Sequence, residues 1–116
     1  MIRESYGGDS EIRVLVALEE DYRVYRETIA VALRILRPDI EVETAPLEAL
    51  EEELERFDAQ VVICSGHEEV ESDGILAWIE LSLGHMEPTK IRVGERFIEQ
   101  TNPTLRELLE LIEESE

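Results

Sequence analysis

Two short apolar runs constrain the fold of this chain more than any other feature of its sequence. They are IRVLVAL at residues 12–18 and AQVVICS at residues 59–65, and both are rich in β-branched residues. Nearly continuous runs of this length are typical of strands that are covered on both faces of a parallel sheet. Because parallel strands need a long crossover connection, we expect helices between the two runs.

Two helical patterns fill the segment between these runs. The first begins after an acidic cluster in which Asp21 is a candidate N-cap, and its apolar members are Tyr22, Tyr25, Ile29, Ala32, Leu33 and Leu36. The second follows a short strand at residues 40–45 and repeats at Leu47, Leu50, Leu54 and Phe57. The predicted order is therefore β-α-β-α-β, and right-handed crossovers place the first strand between the other two.

The rest of the chain has connections that are too short for crossover helices. Residues 66–74 fall below the roughly 10–12 residues that such a connection needs. We expect a strand at residues 75–83, a hairpin formed by residues 90–93 and 96–99, and a last helix that Asn102-Pro103 caps and opens. The predicted fold class is α/β, with a parallel β-α-β-α-β half, then two or three strands with reduced crossover helices, and a C-terminal helix.

Length, charge and cysteine content limit the classes of protein. With 116 residues we expect a single domain at residues 12–116, preceded by a flexible tail at residues 1–11. The formal net charge of -18 opposes binding to nucleic acid or to an anionic membrane surface. The single cysteine, Cys64, forms no internal disulfide, and residues 1–10 contain no apolar segment typical of a secretory signal. These features predict a cytoplasmic protein.

The first half of the chain resembles a response-regulator receiver domain, a flavodoxin-like fold. The resemblance rests on the chain length, the order of elements and the acidic cluster that ends VLVALEED. It implies that Glu19 and Glu20 match the acidic pair that holds magnesium in receivers and that Ser82 matches the hydroxyl residue after the fourth strand. The phosphoacceptor position holds Ser65 instead of aspartate, and the fifth strand ends in Val-Gly-Glu without the lysine. The resemblance therefore implies a degenerate receiver that is independent of phosphorylation.

Several of these residues are expected to share one crevice. In an open α/β sheet, ligands bind beyond the carboxyl ends of the strands where the strand order reverses, and this places Glu19, Glu20, Ser65, Gly66 and His67 together. The carboxylates either bind Mg²⁺ or Ca²⁺ weakly, with His67, Glu68 and Glu69 as further ligands, or only stabilise the start of the first helix. We predict no cofactor and no catalytic residue, because no nucleophile stands beside a base, and Cys64 is expected to be a buried apolar residue.

Two apolar features lie outside the predicted core. On the first helix, Val24, Thr28, Val31 and Ile35 form a second stripe, which we interpret as a partner-binding surface. On the strand at residues 75–83, Trp78 either anchors an interface on an uncovered sheet face or belongs to the core. We therefore predict a noncatalytic interaction module that forms a homodimer or docks another protein. The alternative is a metal- or ligand-binding switch, or a small enzyme, that uses the crevice of Glu19, Glu20 and Ser65.

Overall fold

In the residues that the structure describes, six strands form one sheet and three α-helices pack against it. The computed structural model describes residues 12–66, 69–70, 74–82 and 87–115, so the predicted tail lies outside the described residues. The strands are β1 (Arg13–Leu18), β2 (Glu41–Pro46), β3 (Val61–Ser65), β4 (Ala77–Leu81), β5 (Thr89–Val93) and β6 (Arg96–Gln100). The helices are α1 (Arg23–Leu36), α2 (Leu50–Phe57) and α3 (Leu105–Glu114). The strand order in the sheet is β2-β1-β3-β4-β5-β6.

The predicted fold class is confirmed. Strand β1 lies between β2 and β3 and is parallel to both, as expected for two right-handed crossovers. Strand β4 extends the parallel part, whereas β5 is antiparallel to β4 and β6 is antiparallel to β5. The turn between β5 and β6 contains Gly94 with a φ of 61°, a left-handed conformation that glycine adopts without strain. The described residues between β3 and β4, which are 66, 69–70 and 74–76, are not helical.

The two faces of the sheet are covered unequally. On one face, α1 and α3 bury the larger core, whose helical members include Ile29, Leu33, Leu108 and Ile112. On the other face, Leu50 and Leu54 of α2 join a second cluster with side chains of β1 and β3. Central strands buried on both faces explain why the two apolar runs contain almost no polar residue.

The outer half of the second face carries polar side chains. Cross-strand register aligns Trp78, Arg92 and Phe97 in one row across β4, β5 and β6, and aligns Glu80, Lys90 and Glu99 in the next row. A groove of about 270 Å³ runs over these rows. Within the described part of the chain no helix covers this half of the face, since the three helices pack elsewhere.

The structure settles the position of Trp78. Of the two alternatives, the core position is confirmed, because only 3% of Trp78 is exposed and the ring packs in the same cluster as Cys64 and Ile75. The indole therefore exposes little surface, which favours the core position over a partner-binding one. No described helix covers the sheet face beside it, but Ile75 belongs to the same buried cluster as the ring and Val70 packs against that cluster.

Both predicted helix caps are wrong. Asp21 lies inside a 3₁₀ turn at Glu20–Tyr22, so Tyr22 occupies the N-cap position of α1 and makes no side-chain capping bond. At α3, Thr104 is the N-cap: its hydroxyl accepts a hydrogen bond from the backbone N–H of Glu107, while the Glu107 carboxylate accepts one from the backbone N–H of Thr104. Asn102 instead has a φ of 46°, a left-handed turn conformation that asparagine tolerates.

Candidate functional site

The crevice at the carboxyl edge of the sheet brings together Glu19, Ser65 and Ser82, three of the four residues that match receiver site positions, the fourth being Glu20. Glu19 follows β1, Ser65 ends β3 and Ser82 follows β4, and all three line a cavity of about 200 Å³. The backbone N–H of Glu19 donates to Oγ of Ser65 across 3.4 Å. Gly66 has a φ of 62°, and a Cβ at this position would lie 3.2 Å from Oε1 of Glu19. Glycine therefore permits both the turn and the close approach of the carboxylate.

Glu20 points away from this cavity. Its Oε1 lies 3.3 Å from Nη2 of Arg26, and its side chain lines a second hollow of about 630 Å³ together with Glu19 and glutamates of the α2 region. Both members of the acidic pair implied by the receiver resemblance therefore line this hollow, but only Glu19 also lines the cavity of Ser65. Among the described residues, no three histidine, cysteine, aspartate or glutamate side chains converge in the way a metal ion requires. His67 lies outside the described residues.

Arg26 is a structural residue that the sequence interpretation missed. Its side chain is 8% exposed, and Nη1 donates to the backbone oxygens of Leu18 and Ala45 at 3.2 Å each. The guanidinium thus ties α1 to the carboxyl ends of β1 and β2. The sequence contains a signal that could have revealed this burial. Tyr22, Arg26, Ile29 and Leu33 are spaced at intervals of four, three and four, and these residues form the inward face of α1.

Lys90 is a second residue that sequence reasoning did not place in the crevice. Because β5 is antiparallel to β4, the start of β5 lies beside the end of β4, and Lys90 is paired with Glu80 in the register. Both residues line the same cavity as Ser65 and Ser82. The cavity therefore has one lysine among several carboxylates, and its position depends on strand direction, which the sequence left open.

Cys64 is chemically inert in this arrangement. Its side chain belongs to the cluster under α2, on the face opposite the core of α1, and it is fully buried. Burial first, and then the negative charge of Glu80, raises the pKa of the thiol to about 12. A thiol that stays protonated at neutral pH is a poor nucleophile. The expectation of a buried apolar cysteine is confirmed.

The exposed face of α1 carries the other candidate site. Val24 is 76% exposed, Val31 is 49% exposed and Ile35 is 72% exposed, on the side of the helix opposite Ile29 and Leu33. Thr28 lies between them, and its hydroxyl donates to the backbone oxygen of Val24 at 2.8 Å. Because that bond satisfies the hydroxyl, Thr28 contributes its methyl group to the same apolar stripe.

This stripe lines a shallow groove with mixed charge at its border. The groove has a volume of about 480 Å³, and Arg23, Glu27 and Ala32 complete its lining. Tyr25 and Leu36, which the sequence placed in the core, are about half exposed on the adjacent side of the helix. Much of the outward surface of α1 is therefore apolar, although the chain as a whole is strongly acidic.

Two further findings concern the described helices and the similarity of this chain to known proteins. None of the helices in the described residues has the length and apolar character that crossing a bilayer requires. Searches with protein-family models, among curated proteins and among solved structures find no match to this chain.

Proposed function

We propose that this chain is a noncatalytic interaction module of the cytoplasm, a degenerate receiver-like domain that binds another protein chain through the outward face of α1. The observation that carries this proposal is the stripe of Val24, Thr28, Val31 and Ile35. Three β-branched apolar residues stand half to three-quarters exposed on a regular helix that is anchored on its inner side. A contiguous apolar patch on a rigid element is typical of a protein–protein contact.

The crevice supports a function without catalysis and without phosphorylation. Ser65 ends β3, and a serine ester lacks the lability of the acyl phosphate that an aspartate forms. Glu20 is turned towards Arg26, so only one of the two acidic residues faces Ser65. The cavity of about 200 Å³ is also smaller than the roughly 300–1,000 Å³ of ordinary small-molecule sites. A ligand switch or an enzyme at this edge is therefore the weaker candidate.

The experiment compares two variants that place charge on different apolar surfaces. V31E/I35E adds two carboxylates to the α1 stripe, and F97E is the matched control because Phe97 is 80% exposed on the far end of the sheet. Wild type and both variants are tested for binding to the chain itself and to the proteins encoded beside its gene, by sedimentation and by pairwise pull-down of purified proteins. Circular dichroism verifies that each variant is folded.

We expect binding that V31E/I35E abolishes and F97E retains, because a carboxylate in an apolar contact stays unpaired. Three results would contradict the proposal: no binding by the wild type, equal binding by all three proteins, or loss of binding in both variants. The last result would indicate a response to added negative charge rather than a contact at α1.

A further inference from the structure

We infer that the partner of α1 is a second copy of this chain, with the two α1 helices antiparallel about a two-fold axis. This inference rests on the proposed function and names the chain that binds to the outward face of α1. The stripe residues are spaced four, three and four apart, which is the spacing of the apolar seam in paired helices. At 100° per residue, all four lie within one narrow sector of the helix, opposite the core.

The stripe is complementary to itself in the antiparallel direction. Its order is Val24, Thr28, Val31, Ile35, and reversing it places Val24 beside the partner's Ile35 and Thr28 beside the partner's Val31. Each contact occurs twice, as a two-fold interface requires. Ala32 lines the same groove, and its small side chain permits close approach of the second helix.

Charges beside the stripe select the antiparallel direction. Glu27 and Arg34 lie on the same side of the stripe, seven residues apart, at positions that face each other across an antiparallel helix pair. Antiparallel pairing places Glu27 beside the partner's Arg34 twice. In a parallel two-fold pair the partner's Glu27 and Arg34 would lie on the opposite side of the seam, so neither attractive contact would form. The charge pattern therefore favours a partner that is identical and reversed.

Contacts within the protomer already orient these two side chains. Nη2 of Arg34 donates to the backbone oxygen of Val42 at 2.8 Å, which holds the guanidinium beside α1 on the side of β2. The Glu27 carboxylate is on the same side, 3.8 Å from Nε of Arg26, and remains 57% exposed. A guanidinium has five N–H donors, so Arg34 can bind Val42 and a carboxylate at once.

The local charge of this surface reduces the repulsion between two acidic chains. Arg23, Glu27 and Arg34 border the stripe and together carry one net positive charge, whereas the whole chain carries -18. The contact thus brings together a part of the surface whose bordering charges sum to +1, around an apolar centre.

Disulfide trapping distinguishes the two directions. V24C and I35C are prepared as separate variants with tags of different size, mixed, and oxidised with a mild disulfide catalyst. Antiparallel pairing brings Val24 to the partner's Ile35, so we expect the mixed disulfide to exceed either homodimeric disulfide by roughly tenfold. F97C is the control for random collision, and the native Cys64 does not compete because it is buried.

Charge exchange gives a second and independent test. E27R and R34E each replace two attractive contacts with two repulsive ones, and we expect each to weaken dimerisation by about tenfold. E27R/R34E restores opposite charges in exchanged positions, so its dimer affinity should return to within a few-fold of the wild type. Circular dichroism on each variant separates loss of pairing from loss of folding, which matters for E27R because Glu27 lies close to Arg26.

The outcomes separate this inference from the proposed function. Predominant V24C or I35C homodimers, or a double variant no better than its parents, would overturn the antiparallel pairing. Mixed disulfides no more abundant than those of F97C would exclude a second copy. If V31E/I35E still abolishes binding to another protein in that case, the function at α1 stands with a different partner. If V31E/I35E changes no binding at all, both proposals fail.

Discussion

Replacing Arg26 with methionine tests whether a buried guanidinium holds the carboxyl ends of two strands to α1. Methionine keeps much of the length and volume of the side chain but has no donor. The backbone oxygens of Leu18 and Ala45 would each lose a charged donor now 3.2 Å away. Because the side chain is only 8% exposed, water replaces that donor poorly.

The size of the effect follows from these contacts. A hydrogen bond to a charged group contributes about 1.5–3 kcal/mol, and both bonds are long, so the lower end of this range applies to each. Removing a desolvated charge offsets part of the loss. The exposed carboxylate of Glu20 adds little. We therefore expect R26M to reduce the free energy of unfolding by about 2–3 kcal/mol, a large fraction of the ~5–15 kcal/mol typical of a domain.

Urea unfolding followed by circular dichroism measures this difference. R23M is the matched control, because Arg23 is exposed at the start of the same helix, and its effect should stay within about 0.5 kcal/mol. R26K should fall between R26M and wild type, since one ammonium cannot reproduce the fork of the guanidinium. If R26M is as stable as R23M with an unchanged denaturant dependence, the contacts of Arg26 do not stabilise the fold and the reasoning is refuted.

Three further predictions concern the crevice and the cysteine. Acetyl phosphate with Mg²⁺ should leave the intact mass unchanged, because Ser65 provides a hydroxyl where an acyl phosphate needs a carboxylate; a gain of one phosphoryl group would contradict this. Mg²⁺ should raise the melting temperature no more than NaCl of equal ionic strength, since Glu20 faces Arg26; a specific rise that E19Q/E20Q removes would show a metal site. Native Cys64 should resist iodoacetamide at mildly alkaline pH, and the free energy of unfolding should fall as pH rises from about 9 towards 12. Stability falls in this range because the unfolded thiol ionises near 9.0, whereas burial keeps the folded thiol protonated. Rapid labelling of the native chain would refute the assignment of Cys64 as a buried, protonated thiol.

The parallel half of the fold was predictable because its signals are local. Residues of β1 and β3 are buried on both faces, so the sequence there is apolar without alternation, and helix lengths between the strands allow crossovers. The order of β2, β1 and β3 then follows from the handedness of the connections. The hairpin of β5 and β6 was also visible, since Gly94 marks its turn.

The direction of β5 was not predictable, because it depends on pairing between distant segments. Nothing in residues 89–93 indicates whether they lie parallel or antiparallel to β4. The antiparallel arrangement brings Lys90 to the crevice, whereas the receiver resemblance directed attention to the other end of the strand. Strand direction therefore decided which residue of β5 lines the crevice with Ser65.

The inward face of α1 was misassigned for a different reason. A pattern search for apolar residues passes over Arg26, and it then accepts Tyr25 and Leu36, which the structure leaves about half exposed. The buried guanidinium was hidden because burial of an arginine depends on backbone oxygens supplied by Leu18 and Ala45. The outward stripe of Val24, Val31 and Ile35 was recognised correctly as lying outside the core, since its helical spacing places it opposite Ile29 and Leu33.

The half-covered sheet has a consequence for how the chain tolerates substitution. On β1 and β3 both faces are packed, so a scan of all single substitutions should find intolerant positions without periodicity. On β5 the buried residues Thr89, Ile91 and Val93 alternate with Lys90 and Arg92, which lie on the face that no described helix covers. Tolerance there should alternate with a period of two, so that substitutions accumulate on one side of this strand and leave the shared core intact.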